Sequence, residues 1–373
     1  MKILHVIPNL LKGGAQRLVI DICNELSKKE SLECKILVLS KSNNEFQYCS
    51  SKLDITFYEV KFQLSMLKKN QIEISSYENF IDEFKPDIIH SHLYFSELVC
   101  HENPKKDIKY ISHLHSNNPV FERLTINSFF NFKSFYKTYE KQRLVKRYLK
   151  TDKKFISISN DTFSFFNKNM QKFSKDLVSL SNSIDLSRFK QLSKKSPSDI
   201  IKLISVGNLL VKKNQIFLLD IVKYIKSKSY SVHLNIVGDG VEKKTIANKI
   251  NNLNIKDNVI LSGQKDIVEE ELIKADFYVH SATYEPFGLV ILEAMASRLP
   301  IVALNGSGNK DLLKNGTNGF IIDNQDPKFF GDIIIDLFCN KEKYQKISEQ
   351  GFQTSLKYDL PNYSNNLLKI YNS

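Results

Sequence analysis

The sequence predicts an α/β protein built from two Rossmann-like domains that face a central cleft. Three observations support this fold class. At 373 residues the chain exceeds the length of about 250–300 residues at which single cores usually split into domains. Short β-branched runs alternate with longer segments of helical spacing, which is typical of parallel α/β sheets. Glycines and polar residues follow these runs, where open parallel sheets bind their ligands.

Twelve short runs are predicted as strands, about six in each half of the chain. They are residues 2–7, 34–39, 55–60, 87–91, 109–114 and 155–159, then 202–206, 233–237, 259–262, 277–280, 301–304 and 320–322. The polar, proline-containing segment 190–199 is interpreted as a linker. The predicted domains are therefore residues 1–188 and 189–357, followed by a C-terminal helix over 358–373 that can cross back to the first domain.

Composition excludes several classes of protein. The hydrophobic fraction of 42% is ordinary for a globular chain, and no run approaches the roughly 18 apolar residues of a membrane span. The five cysteines are scattered without CxxC spacing, so we expect reduced thiols in a soluble, cytoplasmic protein. Despite the net charge of +12, no nucleic-acid recognition motif is found, so nucleic acid is not expected as a partner.

Positive charge is concentrated in one aromatic, helical segment, residues 129–154. Phe129, Phe132, Tyr136 and Tyr139 form one stripe at helical spacing, and lysines and arginines surround it. One interpretation is a helix packed on the sheet with a solvated basic face. The other is peripheral contact with an anionic membrane at its inner face, or with a phosphate-bearing acceptor.

The most informative motif is a pair of acids, Glu285 and Glu293, with seven residues between them. Glu285 follows a predicted strand, and a helix opens near Phe287 and Gly288. The free N–H groups at the start of a helix suit a phosphate. Glu293 lies about 12 Å further along the axis, so the two acids cannot hold the same sugar ring. One acid on a sugar and the other on a ribose, with a diphosphate between them, is consistent with this spacing.

The segment 285–293 resembles the E-x7-E motif of family 4 glycosyltransferases, which have the two-domain GT-B fold. Other segments resemble motifs of that family in the same order, across nearly the whole chain. They are residues 12–17 (KGGAQR), 87–92 (DIIHSH), 112–116 (SHLHS), 207–214 (GNLLVKKN), 238–240 (GDG), 308–311 (GNKD) and 318–319 (NG).

The resemblance implies roles for individual residues. Glu285 would bind hydroxyls of the donor sugar, Lys213 would neutralise the leaving diphosphate, and His115 would touch and orient the sugar. Glu293 would bind the ribose. The other donor-binding residues would be Gly14, Arg17, Gly207, Asn208, Gly238, Gly263, Gln264, Phe287, Gly288, Leu289 and Val290.

The resemblance also implies an activity. The expected reaction moves a hexose or N-acetylhexosamine, with retention, from a nucleoside diphosphate sugar to a hydroxyl of a glycan or lipid-linked glycan. UDP-sugars are the commonest donors in the family, surface polysaccharide synthesis is its usual setting, and donor binding needs no metal or other cofactor. Two positions depart from the family pattern: Asn208 replaces an arginine at the diphosphate, and Ser183 replaces a glycine after Asn182.

Other functions remain open from the sequence. The pairs His90/His92 and His113/His115 lie at strand ends, and residues i and i+2 of a strand share a face, so a metal-dependent hydrolase is one alternative. A sugar-nucleotide epimerase or a non-catalytic binder on the same fold is another. The isolated residues are interpreted as core or surface positions without a functional role; they are His5, His101, His233, His280 and Cys100.

Overall fold

The computed structural model describes five stretches of the chain: residues 1–42, 53–63, 71–123, 132–189 and 199–373. They form two compact units. One unit consists of Met1–Asn182 with Leu360–Ser373, and the other is Ser183–Asp359. Each contains its own parallel sheet flanked by helices, so the predicted class of two Rossmann-like α/β domains is confirmed.

The first unit is organised around a parallel sheet of seven strands, in the order β3-β2-β1-β6-β7-β8-β9. Strands β4 and β5 form a separate antiparallel ribbon. The central strands are buried along almost their whole length, because helices cover both faces of a parallel sheet. The strands are β1 (Lys2–Ile7), β2 (Glu33–Val38), β3 (Asp54–Phe57), β4 (Phe62–Gln63), β5 (Gln71–Ile72), β6 (Ile88–His92), β7 (Lys109–Leu114), β8 (Asp152–Ser157) and β9 (Leu177–Ser179).

Helices of this unit bury apolar side chains against the sheet in two clusters. One cluster includes Leu4, Phe80 and Ile89, and the other includes Tyr148 and Phe166. The helices are α1 (Gly14–Leu26), α2 (Ser75–Phe84), α3 (Tyr94–Cys100), α4 (Phe132–Tyr148) and α5 (Asn160–Asn169).

The second unit has a six-stranded parallel sheet in the order β12-β11-β10-β13-β14-β15. In both sheets the first strand in the chain lies at the centre, with the second and third strands on one side and the fourth on the other. Ligands of such doubly wound sheets bind beyond the carboxyl ends of the strands where the order reverses. The strands are β10 (Ile201–Val206), β11 (Val232–Val237), β12 (Val259–Gly263), β13 (Phe277–His280), β14 (Ile301–Leu304) and β15 (Phe320–Ile322).

One hydrophobic core joins this sheet to its helices, with Leu219, Ile236, Val279 and Phe330 among its fully or nearly fully buried residues. The helices are α6 (Gln215–Ser227), α7 (Lys243–Asn252), α8 (Val268–Leu272), α9 (Leu289–Ala296), α10 (Pro327–Cys339) and α11 (Lys341–Ser355).

The C-terminal helix α12 (Leu360–Asn372) returns to the first unit. It packs against α1 and buries Tyr363, Leu367 and Tyr371. The first unit is therefore completed by a helix that begins more than 170 residues after Asn182 in the chain.

Several details differ from the sequence-based expectation. All twelve predicted strands are present. Three further strands, β4, β5 and β9, were not predicted; each has only two or three residues. The first unit ends at Asn182 rather than at residue 188. The reason is local: the amide of Ile184 donates to the Tyr358 carbonyl, and Arg188 pairs with Glu269, both in the second unit. Residues 190–198 of the expected linker lie outside the described residues.

None of the helices in the described stretches combines the length and apolar character needed to span a bilayer. Cys23, Cys34, Cys100 and Cys339 are free thiols, while Cys49 lies outside the described residues.

Candidate active site

Lys213 lies beyond the carboxyl end of β10, on a short 3-10 turn that leads into α6. Its amide donates to the Leu210 carbonyl at 2.8 Å. Asn214, which follows, has a left-handed backbone with φ of 51° and directly precedes the helix. The side chain of Lys213 thus projects from the sheet edge that the strand order marks as a ligand site.

Glu285 lies beyond the carboxyl end of the neighbouring strand β13. Its amide donates to the Gly306 carbonyl at 2.7 Å, and its carbonyl accepts from the Gly308 amide at 3.0 Å. A Cβ atom at position 308 would stand 1.9 Å from the Pro286 carbonyl oxygen, so only glycine allows the two loops this close. The backbone of Glu285 is therefore held from both sides.

Lys213, Glu285 and His280 form one cluster, in which Glu285 and His280 are buried and Lys213 is partly exposed. Lys213 Nζ donates to Glu285 Oε2 at 2.5 Å, and His280 Nε2 lies 3.3 Å from the same oxygen. Burial alone would raise the pKa of the Glu285 carboxyl group, but the contacts with His280 and Lys213 outweigh burial and lower that pKa to about 2. Glu285 is thus ionised over the whole physiological range.

Backbone contacts fix the geometry of this cluster. The Ser281 hydroxyl donates to the Lys213 carbonyl at 2.8 Å, and the Thr283 amide donates to the Lys212 carbonyl at 2.9 Å. The loops that follow β10 and β13 are therefore tied to each other independently of the charged side chains. Such preorganisation is what electrostatic catalysis requires.

The start of helix α9 lies directly after this cluster. Gly288 precedes the helix with φ of 103°, a left-handed conformation that glycine adopts without strain. The first amide bonded within the helix is that of Ile291, to the Gly288 carbonyl. The amides of Leu289 and Val290 come before it, at the positive end of the helix dipole, and are suited to a phosphate.

Glu293 is held by a residue to which the sequence assigned no role. Arg188 Nη1 lies 3.4 Å from Glu293 Oε1, and Arg188 Nε also donates to Glu269. Burial, followed by the charges of Glu285 and Glu293, raises the pKa of Tyr278, whose hydroxyl lies 3.2 Å from His280 Nδ1. Each acid of the motif has its own cation, Lys213 for Glu285 and Arg188 for Glu293.

The glycine-rich loops lie at the same edge of this sheet. A Cβ atom at Gly238 would stand 2.1 Å from the Gly207 carbonyl, so the loops after β10 and β11 pack backbone to backbone. Asn208 is exposed, and its carbonyl accepts from Gln215 at 3.2 Å. Other predicted donor-binding positions here have clear placements: Gly263 ends β12 with φ of 66°, Gln264 is exposed after it, and Phe287 is buried against Tyr358.

Gly14, Arg17 and His115 belong to the first unit. Gly14 is the first residue of α1, and Arg17 pairs with Asp21 one turn later at 3.0 Å. His115 follows β7 and lies 3.0 Å from His92 through Nε2 and Nδ1. Burial lowers the pKa of His115 to about 3, so its ring is neutral.

The His-x-His pairs meet in one group with His5, which was interpreted as a core residue without a role. Ligand atoms of His5, His90 and His92 lie within 4.8 Å of one another, and so do those of His92, His113 and His115. Several of their nitrogens contact each other; for example, His113 Nδ1 lies 3.2 Å from His90 Nε2, whereas His113 Nε2 has no hydrogen-bond partner among the described residues. A metal ion would have to replace these hydrogen bonds.

Helix α4 carries the basic charge seen in the sequence, and several of its cations are paired. Arg143 and Arg147 both contact Glu102, Lys137 contacts Glu122, and Lys141 donates to three backbone carbonyls. Phe129 lies outside the described residues, and the side chains at positions 132–136 do as well. Lys146 and Lys150 are exposed.

His280 was taken from the sequence as a residue without function, and its contact with Glu285 changes that interpretation. Replacing His280 by alanine should raise the pKa of Glu285, because the His280 contact is the first of those that lower it. The low-pH limb of kcat/KM should then move to higher pH. In the wild type, the Glu285 carboxylate stabilises the folded state above its ordinary pKa of 4.5, and this stabilisation is lost as the pH falls to about 2. In His280→Ala the stabilisation should be lost at a higher pH.

The matched control for this change is His233→Ala, an exposed histidine of the same sheet. Kinetic pH profiles of both variants provide the measurement. An acid limb that is identical in the wild type and in His280→Ala would contradict the role assigned to His280.

Comparison with known proteins supports the resemblance seen in the sequence. The family described as "Glycosyltransferase Family 4" matches residues 12–188, and the one described as "Glycosyl transferases group 1" matches residues 187–354. Poly(glycerol-phosphate) alpha-glucosyltransferase of Bacillus subtilis is 30% identical over 46% of this chain and 25% of its own length. The putative glycosyltransferase EpsD of the same organism is 27% identical over 46% of this chain and 45% of its own. The match thus covers less than half of either relative.

Solved structures match the whole chain. Anabaena HepE in complex with UDP and glucose superposes with a TM-score of 0.77 at 18% identity, covering 100% of both chains. TarM of Staphylococcus aureus, in complex with Fondaparinux, alpha-GlcNAc-glycerol and UDP, gives 0.75 at 14% identity, again over 100% of both chains. At these identities the likeness establishes the fold. With both family descriptions matched in succession and this two-domain fold, the chain belongs to the family 4 glycosyltransferases of the GT-B fold.

Proposed function

We propose that this chain transfers a hexose or N-acetylhexosamine from a nucleoside diphosphate sugar to a hydroxyl group, with retention of the anomeric configuration. The observation that carries the proposal is the cluster of Lys213, Glu285 and His280 beside the start of α9. It places a cation, helix amides and an ionised acid at one sheet edge, which suits a diphosphate attached to a sugar.

Each group would have a separate task. Lys213 has three N–H donors and would stabilise the negative charge that develops on the departing diphosphate. The amides of Leu289 and Val290 would bind the same phosphates. Glu285 would accept hydrogen bonds from two neighbouring sugar hydroxyls, Glu293 would hold the ribose, and His115 would orient the sugar, as in the family pattern.

The low pKa of Glu285 bears on the mechanism. A carboxylate with a pKa of about 2, bonded to a lysine, is a poor base near neutral pH. We therefore propose a front-face reaction. The bond from the anomeric carbon to the diphosphate breaks, the acceptor oxygen attacks from the same side, and the departing phosphate takes the acceptor proton.

The names of the relatives support the choice of substrates. HepE has been solved with UDP-glucose, and one Staphylococcus aureus relative is named poly(ribitol-phosphate) alpha-N-acetylglucosaminyltransferase. We propose a UDP-sugar as donor, and a glycan or lipid-linked glycan of surface polysaccharide synthesis as acceptor. The curated relatives named above are transferases, which favours this function over a hydrolase that uses the histidine pairs.

Donor binding can be tested before the acceptor is known. A UDP-sugar at about 100 times its Kd should stabilise the protein by about 2.7 kcal/mol, or roughly 5–10 °C in melting temperature. GDP- and ADP-sugars at the same concentration should give smaller shifts. The UDP-sugar shift should persist in EDTA, since we propose that donor binding uses Lys213 and no metal. No shift with any nucleotide sugar would refute the proposal.

Turnover separates the remaining alternatives. A transferase should release UDP only when an acceptor hydroxyl is added, whereas an epimerase would interconvert donor sugars without release and a non-catalytic binder would do neither. Contact with an anionic membrane also stays a prediction, and co-sedimentation with vesicles containing anionic lipid at low salt is its test.

A further inference from the structure

Two buried cysteines and a buried histidine of the first unit bring their side chains together. They are Cys23 on α1, Cys34 on β2 and His5 on β1. One ligand atom from each, the two sulfurs and a ring nitrogen, lie within 4.8 Å of one another. The most exposed of the three, Cys34, is only 8% exposed. These residues, the Cys23–Cys34–His5 cluster, take no part in the donor site described above.

The strand pairing explains why His5 and Cys34 lie on the same face of the sheet. Strands β1 and β2 are parallel neighbours, with Ile3 opposite Cys34. Side chains alternate along a strand, so His5, two residues after Ile3, points to the same side as Cys34. Helix α1 packs against β2 and buries Cys23 there. The three residues therefore meet through tertiary structure, without the short CxxC spacing that marks metal sites in a sequence.

Their chemistry suits a metal ion that binds sulfur and nitrogen. Thiolate and imidazole are the ligands of structural zinc sites, and thiolates also bind copper(I). Zinc bonds of about 2.3 Å to sulfur and about 2.0–2.1 Å to nitrogen place neighbouring ligand atoms roughly 3.5–3.8 Å apart. From separations of up to 4.8 Å, each ligand atom would move by less than about 1 Å to reach this arrangement. Metal binding also releases the protons of the ligands, so it does not require a neutral His5 beforehand.

The charges of the ligands favour zinc over copper(I). Two thiolates bring two negative charges, and a neutral imidazole brings none. Zn²⁺ would make the site neutral, whereas copper(I) would leave one negative charge without compensation. A buried charge without a partner is costly, and all three side chains are buried.

The surroundings of His5 also suit a metal ligand. Its Nδ1 lies 2.9 Å from His92 Nε2, which leaves Nε2 for the metal. In metal sites a partner on the second ring nitrogen commonly orients the ligating histidine. The hydroxyl oxygen of Tyr371 lies 3.5 Å from His5 Nε2, and it is the candidate for the fourth position of a tetrahedral site.

We propose that Cys23, Cys34 and His5 bind a structural Zn²⁺ ion, which joins helix α1 to the first two strands of the sheet. A buried site closed by protein ligands is typical of structural rather than catalytic zinc. The site is independent of the proposed function, because none of its ligands belongs to the Lys213–Glu285–His280 cluster. It is also compatible with donor binding that uses no metal.

Metal content of the wild type is the first test. The full chain, purified without chelator and desalted, should contain one zinc ion per chain by elemental mass spectrometry. Replacement of the zinc by Co²⁺ should give a thiolate-to-cobalt charge-transfer band, which a site made of histidines alone cannot give. Two results would overturn the proposal. One is a protein that lacks zinc and gives no such band with cobalt, and the other is a disulfide between Cys23 and Cys34.

Cys23→Ala and Cys34→Ala each remove one ligand. Both variants should lose the zinc and should melt roughly 5–10 °C below the wild type. The matched control is Cys100→Ala, at a buried cysteine of α3 outside the cluster, which should keep the zinc. Zinc that is retained by both Cys23→Ala and Cys34→Ala would show that the metal binds elsewhere and would refute the site.

A measurement on the wild type replaces these variants if they do not fold. Alkylation followed by peptide mass mapping should show that removal of zinc makes Cys23 and Cys34 react faster, while the rate at Cys100 is unchanged. Equal rates with and without zinc would contradict the site. The outcomes also separate this inference from the proposed function: a protein that holds zinc through both cysteines but transfers no sugar refutes only the function, and a zinc-free protein with full activity refutes only the site.

Discussion

Lys213→Ala is expected to lower sugar transfer by about 10²–10³-fold. The lysine is the cation of the Lys213–Glu285–His280 cluster, and the removal of one preorganised donor at a developing anion costs this much in other enzymes. Because Lys213 would act on the leaving group, the loss should appear in kcat more than in KM for the donor. Steady-state kinetics with a saturating acceptor provide the measurement.

The same change has a consequence for stability. Lys213 is one of the two groups that keep the pKa of Glu285 low, so its removal leaves a buried carboxylate with fewer partners. Unfolding free energy should fall by about 1–3 kcal/mol, the usual cost of an unsatisfied buried polar group. Lys223→Ala, an exposed lysine on α6, is the matched control and should keep both activity and stability. A Lys213→Ala variant that retains full kcat would refute the assignment of the diphosphate site.

Glu285→Gln is expected to reduce turnover by at least about 100-fold while the protein stays folded. Glutamine has nearly the same shape, and its carbonyl oxygen can still accept from Lys213. It lacks the negative charge, and it offers only one acceptor oxygen where the carboxylate offers two. Sugar hydroxyls would therefore be held less firmly, and misplacement of a substrate by about 1 Å can cost 10²-fold in rate.

The measurement is turnover together with the melting temperature in the absence of ligands. Glu342→Gln, at an exposed position of α11, is the control and should behave as the wild type does. If Glu285→Gln transfers sugar at the wild-type rate, the acid has another role. If it unfolds, the pair with Lys213 is structural first, and Glu285→Asp then becomes the informative variant.

Some features of this protein could be predicted from the sequence because they depend on local patterns. The twelve main strands show up as β-branched runs between helical segments, and the motif 285–293 lies after β13, as expected. The contact of Lys213 with Glu285 follows from the strand order, since β10 and β13 are neighbours at the point where that order reverses. The resemblance to the family predicted which residues form the site, and the strand order explains why they are close together.

Other features were missed for physical reasons. His280 was interpreted as an isolated histidine, yet it is the last residue of β13 and lies 3.3 Å from the Glu285 carboxylate in the loop that follows. Arg188 contacts Glu293 across more than 100 residues of sequence, and no pattern in a single chain reports such a contact. One interpretation of the basic residues of α4 was a solvated face. Two of them, Arg143 and Arg147, instead pair with the Glu102 carboxylate, which is distant in sequence.

The sequence by itself determined the fold class, the family, and the acids and lysine of the candidate site, because each can be recognised from the spacing of residues that are close in sequence. Only the tertiary structure decided the partners of those residues and the assembly of His5, His90, His92, His113 and His115 with Tyr371 into one group. The physical reason is that hydrogen bonds between buried groups depend on which strands and helices become neighbours. Residues as far apart as His5 and Tyr371 become neighbours only when the sheet and its C-terminal helix have formed.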